Sequence, residues 1–173
     1  NKVVIVTGAS SGIGRAAAVK FGAEGARVAL VARRADKLQE VAATVGESKI
    51  IAADVTKEAD VERIVDETVK AFGGIDVIVN AAGILANGTI ENTKLADWDY
   101  MMNINVRAPF YLIQRAAPYL IERKGNVVNV SSVTGIRAFP NVLAYCSSKA
   151  ALDQLTHCAA LELASKGVRV NAI

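Results

Sequence analysis

Six apolar runs of strand length recur along this chain, at residues 3–6, 27–32, 49–53, 75–80, 126–130 and 168–173, and helix-length amphipathic segments separate them. The runs are continuously apolar instead of alternating. That pattern belongs to strands covered by helices on both faces, as in a parallel sheet, because a strand with one wet face alternates polar and apolar residues. Parallel neighbours need a crossover long enough to hold a helix, and such crossovers are right-handed. The order therefore predicts an α/β fold: a doubly wound parallel β-sheet in a three-layer α/β/α arrangement. Glycines close the predicted helices at Gly25, Gly46, Gly73-Gly74, Gly125 and Gly167, where a helix ends on a residue free to adopt the left-handed conformation. With 52% apolar and 21% charged residues, the 173-residue chain can bury one sizeable core, so a single domain over residues 1–173 is expected and a disordered or fibrous chain is excluded.

The first strand runs into Thr7-Gly8-Ala9-Ser10-Ser11-Gly12-Ile13-Gly14, followed by the strong helix former Arg15-Ala16-Ala17-Ala18. Glycines at a strand-to-helix turn let the backbone approach a pyrophosphate, and the helix start offers unpaired N–H groups and a positive dipole end. Position decides the matter: the same loop elsewhere is only a tight turn, whereas between the first strand and first helix of a βαβ unit it reads as nucleotide binding. Gly8, Ser10, Ser11, Gly12, Ile13 and Gly14 are the expected cradle.

After the second strand, where a NAD-binding domain offers a carboxylate to the ribose, stand Arg33 and Arg34, with no acid before Asp36. Two guanidiniums suit a 2′-phosphate, so NADP(H) is expected over NAD(H). Asp54-Val55 closes the third strand; Asp54 either accepts from an adenine amine or caps the helix predicted to start near Lys57. Asn80-Ala81-Ala82-Gly83 closes the fourth strand with small residues that leave room for a cofactor against the backbone.

Farther along, Ser132 precedes Tyr145 by 13 residues and Tyr145 precedes Lys149 by 4. A phenol is a poor acid or base near pH 7, its unperturbed pKa being about 10, so proton transfer by tyrosine calls for a fixed positive charge beside it. Residues i and i+4 share a helix face, so Lys149 can be that charge. Residues 98–124 are predicted as one long helix interrupted by Pro109 and Pro118. Pro109 has no N–H for the carbonyl of Asn105, four residues earlier. A bend is expected there, with the freed carbonyl taking a water.

Assembled, these motifs resemble the short-chain dehydrogenase/reductase family, of the 3-oxoacyl-ACP reductase-like kind, across the whole chain: the TGxxxGxG loop at residues 7–14, Asn80-Ala81-Ala82-Gly83, Asn105, Ser132, and Tyr145-x-x-x-Lys149. The resemblance implies a Rossmann-like, seven-stranded sheet whose last strand and substrate loop lie beyond Ile173, so that the chain is expected to be part of a longer one. It implies a catalytic tetrad of Asn105, Ser132, Tyr145 and Lys149 beside an NAD(P) nicotinamide, a small-molecule carbonyl or alcohol substrate, and a homotetramer built partly on helices at 98–124 and 143–166. Ser11 stands where many NADP-using members carry a basic residue, which leaves phosphate discrimination to Arg33 and Arg34. Competing readings are a nucleotide-sugar epimerase or dehydratase, whose first motif is usually spaced TGxxGxxG, and a non-catalytic NAD(P)-binding sensor or structural protein, for which a damaged tetrad is expected.

The remaining signals are bland. A net charge of +3 spread over 20 basic and 17 acidic residues gives no electrostatic case for nucleic acid or membrane. Cys146 and Cys158 fit neither a disulfide scaffold nor a zinc site, so no metal is expected and His157 is read as packing. A reducing, cytoplasmic compartment is expected, with no signal peptide at Asn1-Lys2. Leu85, Ile136, Phe139 and Val142 favour a hydrophobic or acyl-bearing carbonyl.

Overall fold

A computed structural model describes residues 2–173; Asn1, the first residue of the expected domain, lies outside them. The chain runs β1 (Val3–Thr7), α1 (Gly12–Ala23), β2 (Arg27–Ala32), α2 (Ala35–Val45), β3 (Ser48–Ala52), α3 (Glu58–Phe72) and β4 (Val77–Asn80). It continues through α4 (Leu95–Met102), α5 (Ala108–Arg123), β5 (Asn126–Asn129), α6 (Leu143–Ala164) and β6 (Arg169–Ala172). The strands form one parallel sheet in the order β3-β2-β1-β4-β5-β6. From β1 the chain winds outward to β3, then returns to place β4 on the other side of β1. Thr7 pairs in register with both Val31 and Asn80, so the loops after β1, β2 and β4 open together at the carboxyl edge, where open α/β sheets bind ligands.

The continuous apolar runs follow from two cores, one on each face. In β1 every residue is buried; Val4 and Val6 join Ala18, Leu38, Val41 and Val45 under α1 and α2, whereas Ile5 joins Ile64, Leu112, Leu120 and Leu163 under α3, α5 and α6. Each such aliphatic side chain stabilises the fold by about 1.5–3 kcal/mol relative to exposure.

Several expected boundaries move. The fourth strand starts at Val77 and not at residue 75, although the Asp76 backbone still donates to the Val3 carbonyl and accepts from Asn126 N–H. The Asp76 carboxylate accepts from Val3 N–H at 2.9 Å and from Lys2 Nζ at 2.8 Å, while it is only 4% exposed. Burial pushes the Asp76 carboxyl up, but Lys2 and the Val3 amide outweigh it and hold the group below the usual carboxylate range. The third strand shifts one residue earlier than expected, and the fifth and sixth are shorter.

The single helix expected over 98–124 is three pieces starting at Leu95: α4, a π-helical turn (Asn103–Arg107) and α5. The Ala108 N–H donates to the carbonyl of Asn103, five residues back. Pro109 follows directly and has no N–H to donate to the Asn105 carbonyl. The irregularity at this place is a π turn, and α5 continues unbroken through Pro118.

Candidate functional site

The loop after β1 is folded around contacts that only glycine tolerates. Gly8 has φ 67°, and a Cβ there would stand 2.8 Å from the Ala81 carbonyl oxygen; a Cβ on Gly14 would run into the carbonyl oxygen of Gly8. Beneath the loop, Thr7 Oγ1 accepts from the amides of Ala81 at 3.2 Å and Ala82 at 3.1 Å. One hydroxyl thereby ties the two loops at the point where the sheet order reverses. Helix α1 begins at Gly12 with Ser11 as its N-cap, and the Ser11 hydroxyl makes no capping bond, which leaves first-turn N–H groups open toward the carboxyl edge.

These loops enclose a cleft of about 490 Å³. Gly8, Ser10, Ser11, Gly12 and Ile13 line it from the β1 loop; Arg33 and Arg34 from the β2 end; Asp54 and Val55 from the β3 end; Ala81, Ala82, Gly83 and Ile84 from the β4 end. Ile104 of the π turn completes it. Gly14 is buried behind the loop. Asn80 turns into the sheet at 4% exposure, donating from Nδ2 to Asn129 Oδ1 at 2.8 Å, and Asn129 passes the chain on to Thr156 Oγ1 at 2.9 Å.

Asp54 is not the cap of α3; Lys57 holds that position. The Asp54 carboxylate instead accepts from Thr56 N–H at 3.0 Å and Thr56 Oγ1 at 2.8 Å, closing a local turn that keeps the aspartate at the cleft. Arg33 donates to Tyr100 Oη at 3.1 Å and Arg34 reaches Ser10 Oγ at 3.5 Å. Neither guanidinium pairs with a carboxylate among the described residues.

At the same edge, α6 brings Tyr145 and Lys149 together, with Lys149 Nζ 5.6 Å from the centre of the Tyr145 ring. The ammonium donates to the Val130 carbonyl at 2.7 Å, and it would lie 3.8 Å from a Cβ built on Gly83, on the cleft wall. Burial lowers the Lys149 pKa from its ordinary value, and the Asp153 carboxylate one helical turn away opposes that shift. Asn105 is 1% exposed and presents its side chain, not only its backbone, to the site: Oδ1 accepts from Ile84 N–H and Nδ2 donates to the Ile84 carbonyl, both at 3.0 Å. Ser132 caps a 3-10 turn (Val133–Gly135), its Oγ accepting from Thr134 N–H at 3.2 Å. That turn packs on α6 so tightly that a Cβ on Gly135 would strike the Asp153 carboxylate.

Sequence reasoning missed Ile84, Ser148 and the Val130 carbonyl as parts of this constellation, and took Thr7 only as the first residue of the glycine loop. Thr7 carried a signal, a lone hydroxyl ending an apolar strand; a backbone carbonyl carries none. His157, expected as packing, is exposed. Both cysteines are free, and among the described residues no group of three His, Cys, Asp or Glu side chains is placed to hold a metal. The cleft fits a dinucleotide: a helix start with open amides, a Gly12 with nothing within 4 Å of where its Cβ would stand, and two guanidiniums without carboxylate partners.

Comparison with known proteins agrees. Residues 2–173 match the family model for short chain dehydrogenases. An oxidoreductase of Staphylococcus aureus strain MRSA252 is 35% identical over all of this chain and 76% of its own length. One from Thermotoga maritima is 43% identical over 99% of this chain and 70% of its own. The crystal structure of a short-chain dehydrogenase from Streptomyces avermitilis superposes with a TM-score of 0.95 at 36% identity, covering 99% of this chain and 64% of that one. A short-chain dehydrogenase/reductase from Caenorhabditis elegans, solved with cofactor, gives 0.95 at 36% identity over 99% and 68%. The chain belongs to the short-chain dehydrogenase/reductase family of NAD(P)-dependent oxidoreductases, and spans between 64% and 76% of the length of these four relatives.

Proposed function

We propose that the chain carries the cofactor site and proton-transfer residues of an NADP(H)-dependent carbonyl reductase that interconverts a ketone and a secondary alcohol. The observation that carries this reading is the position of Lys149, whose ammonium stands beside both the Tyr145 ring and Gly83 on the cleft wall. The glycine loop, Asp54, Val55 and residues 81–83 would hold the dinucleotide, with Arg33 and Arg34 on a 2′-phosphate. When bound, the nicotinamide supplies or accepts the hydride.

Tyr145 gives its proton to the carbonyl oxygen as that atom becomes an alkoxide, and the adjacent Lys149 charge stabilises the phenolate left behind. Ser132 Oγ already accepts from Thr134 N–H, so its own hydrogen is the one to offer the carbonyl oxygen, orienting the substrate. Asn105 divides its duties. Its side chain fixes the loop at Ile84, and its carbonyl, which Pro109 cannot serve, holds the water that links Lys149 to solvent.

Leu85, Ile136 and Phe139 stand 56%, 79% and 45% exposed around the site, apolar surface that favours a hydrophobic acyl chain; 3-oxoacyl thioesters are the first substrate class to try. On the far side of α6, Leu155 lines a groove of about 680 Å³ with Met102, Val106 and Phe110, while Leu161 is 81% exposed. This apolar face of α4, the π turn, α5 and α6 suits the subunit contacts of a homotetramer. No helix of the described residues is long and apolar enough to cross a membrane; a cytoplasmic enzyme is part of the proposal.

The test follows NADPH and NADH oxidation with 3-oxoacyl thioesters, steroids, quinones and sugar ketones, in wild type and Tyr145→Phe. Turnover with NADPH, lost in the variant while NADPH still binds, is expected. Retained turnover in Tyr145→Phe would defeat the assignment, and firm NADPH binding without any turnover by wild type would favour a sensor.

A further inference from the structure

Ser148 lies between the two residues that carry the proposed chemistry, yet its side chain faces neither cofactor cleft nor solvent. It is fully buried. Its Oγ meets Asn105 Nδ2 at 3.0 Å and the Tyr145 carbonyl at 2.8 Å.

The direction of each bond follows from the inventory of donors. Ile84 presents both its N–H and its carbonyl to the Asn105 amide, so the oxygen of that amide must face the N–H and the nitrogen the carbonyl. An amide NH₂ has two hydrogens and no acceptor capacity. One hydrogen goes to Ile84 and the other to Ser148, which therefore accepts. The single Ser148 hydrogen is left for the Tyr145 carbonyl. Every hydrogen in the chain is spent, and each member has only one way to be satisfied.

We infer that Ser148 is a positioning residue for the Tyr145–Lys149 pair, coupling the first turns of α6 to the cofactor-side loop at Ile84 through the Asn105 side chain. The inference rests on the roles proposed above for Tyr145 and Lys149. Three separately folded pieces meet in it: the loop after β4, the π turn, and α6. The widened π turn carries Asn105, and the hydroxyl is the polar tie from that turn to the helix that holds the acid. Filling space does not explain a serine here. Alanine is close in size and is the better helix former, and Ala150 and Ala151 follow directly. What alanine lacks is the acceptor for Asn105 Nδ2 and the donor for Tyr145. Without them a buried amide hydrogen is orphaned and the α6 turn is released from the loop that borders the cleft, and displacements on the order of 1 Å cost about 100-fold in rate.

The experiment compares wild type, Ser148→Ala and Ser148→Thr, the last restoring the hydroxyl. With the best carbonyl substrate found for wild type, Ser148→Ala is expected to lose at least about tenfold in kcat, with NADPH dissociation constant and substrate KM within about threefold. Ser148→Thr is expected to regain most of the loss. Amide hydrogen exchange gives a second readout independent of turnover: in Ser148→Ala the Ile84 amide, whose acceptor is Asn105 Oδ1, exchanges faster, while amides of β1 do not. Ser148→Ala with wild-type kcat, or with unchanged exchange at Ile84, overturns the inference. Equal acceleration across β1 and Ile84 overturns it too, since that marks general destabilisation. If wild type turns over nothing, the functional proposal fails and the exchange result alone decides the coupling.

Discussion

Gly83→Ala separates folding from function at a single methyl group. Gly83 lines the cleft, and a Cβ built on it lies 3.3 Å from Asn105 Oδ1 and 3.8 Å from Lys149 Nζ. Its φ lies outside the left-handed region, so alanine is accommodated by the backbone and gains about 0.4–1 kcal/mol by restricting the unfolded chain. Against this stands the contact with Asn105 Oδ1, which cannot swing away because it accepts from Ile84 N–H; a crowding of a few tenths of an ångström costs no more than the lower end of the about 1–3 kcal/mol seen for overpacking. The two terms nearly cancel, and the melting temperature should move by no more than about 4 °C. Function has no such cancellation. A ligand oxygen taking an ammonium hydrogen sits about 2.8 Å from the nitrogen, and on the Gly83 side that space is filled by the new carbon. NADPH affinity is expected to fall at least about tenfold, equivalent to about 1.4 kcal/mol, with turnover falling further. Fluorescence titration with NADPH, a thermal melt and steady-state rates measure the three quantities. A variant that melts like wild type and also binds and turns over like wild type refutes the placement of Lys149 at the cofactor.

Other expectations rest on charge. Arg33→Ala with Arg34→Ala should weaken NADPH at least about tenfold while leaving NADH nearly unchanged, and raised salt should shrink the gap, since exposed charges are screened; equal losses for both cofactors in paired titrations would remove the 2′-phosphate from the account. Burial depresses the Lys149 pKa, so the unfolded chain holds its proton more tightly and folding is penalised below the folded value. Stability contributed at this residue should rise as pH climbs from that value toward the ordinary lysine value, and the rise should be missing from denaturant titrations of Lys149→Met. Asp76 behaves oppositely: its depressed carboxyl contributes stability above the ordinary carboxylate value, lost as pH falls through the folded one. Asp76→Asn should therefore flatten the acid limb of the stability curve.

The outline of the fold was legible because burial on two faces leaves a mark in sequence. Val4 and Ile5 point to different cores, and a strand that serves both has no polar side to show. The glycine loop was legible for a related reason: backbone approaching backbone excludes a Cβ, and Gly8 records the approach to Ala81. Edges of elements were less readable, since they depend on a partner chosen in three dimensions. Residues 75–80 look like one strand, and nothing in the run itself shows that the Asp76 carboxylate takes the Val3 amide.

The same distinction runs through the site. Tyr145 and Lys149 share a helix face by spacing alone, and Pro109 announces a disturbed carbonyl four residues back; both are local facts. Thr7, Ser148 and the Val130 carbonyl are different, because each acts by meeting a group that is remote in sequence or hidden in the backbone. Their chemistry is ordinary; only their placement is informative. The polar tie from Ile84 through Asn105 to Ser148 runs through the π turn, which carries the Asn105 side chain that the loop and α6 both bond. A proline that costs a helix one hydrogen bond thus stands four residues after an asparagine whose amide is committed inward, to Ile84 and Ser148.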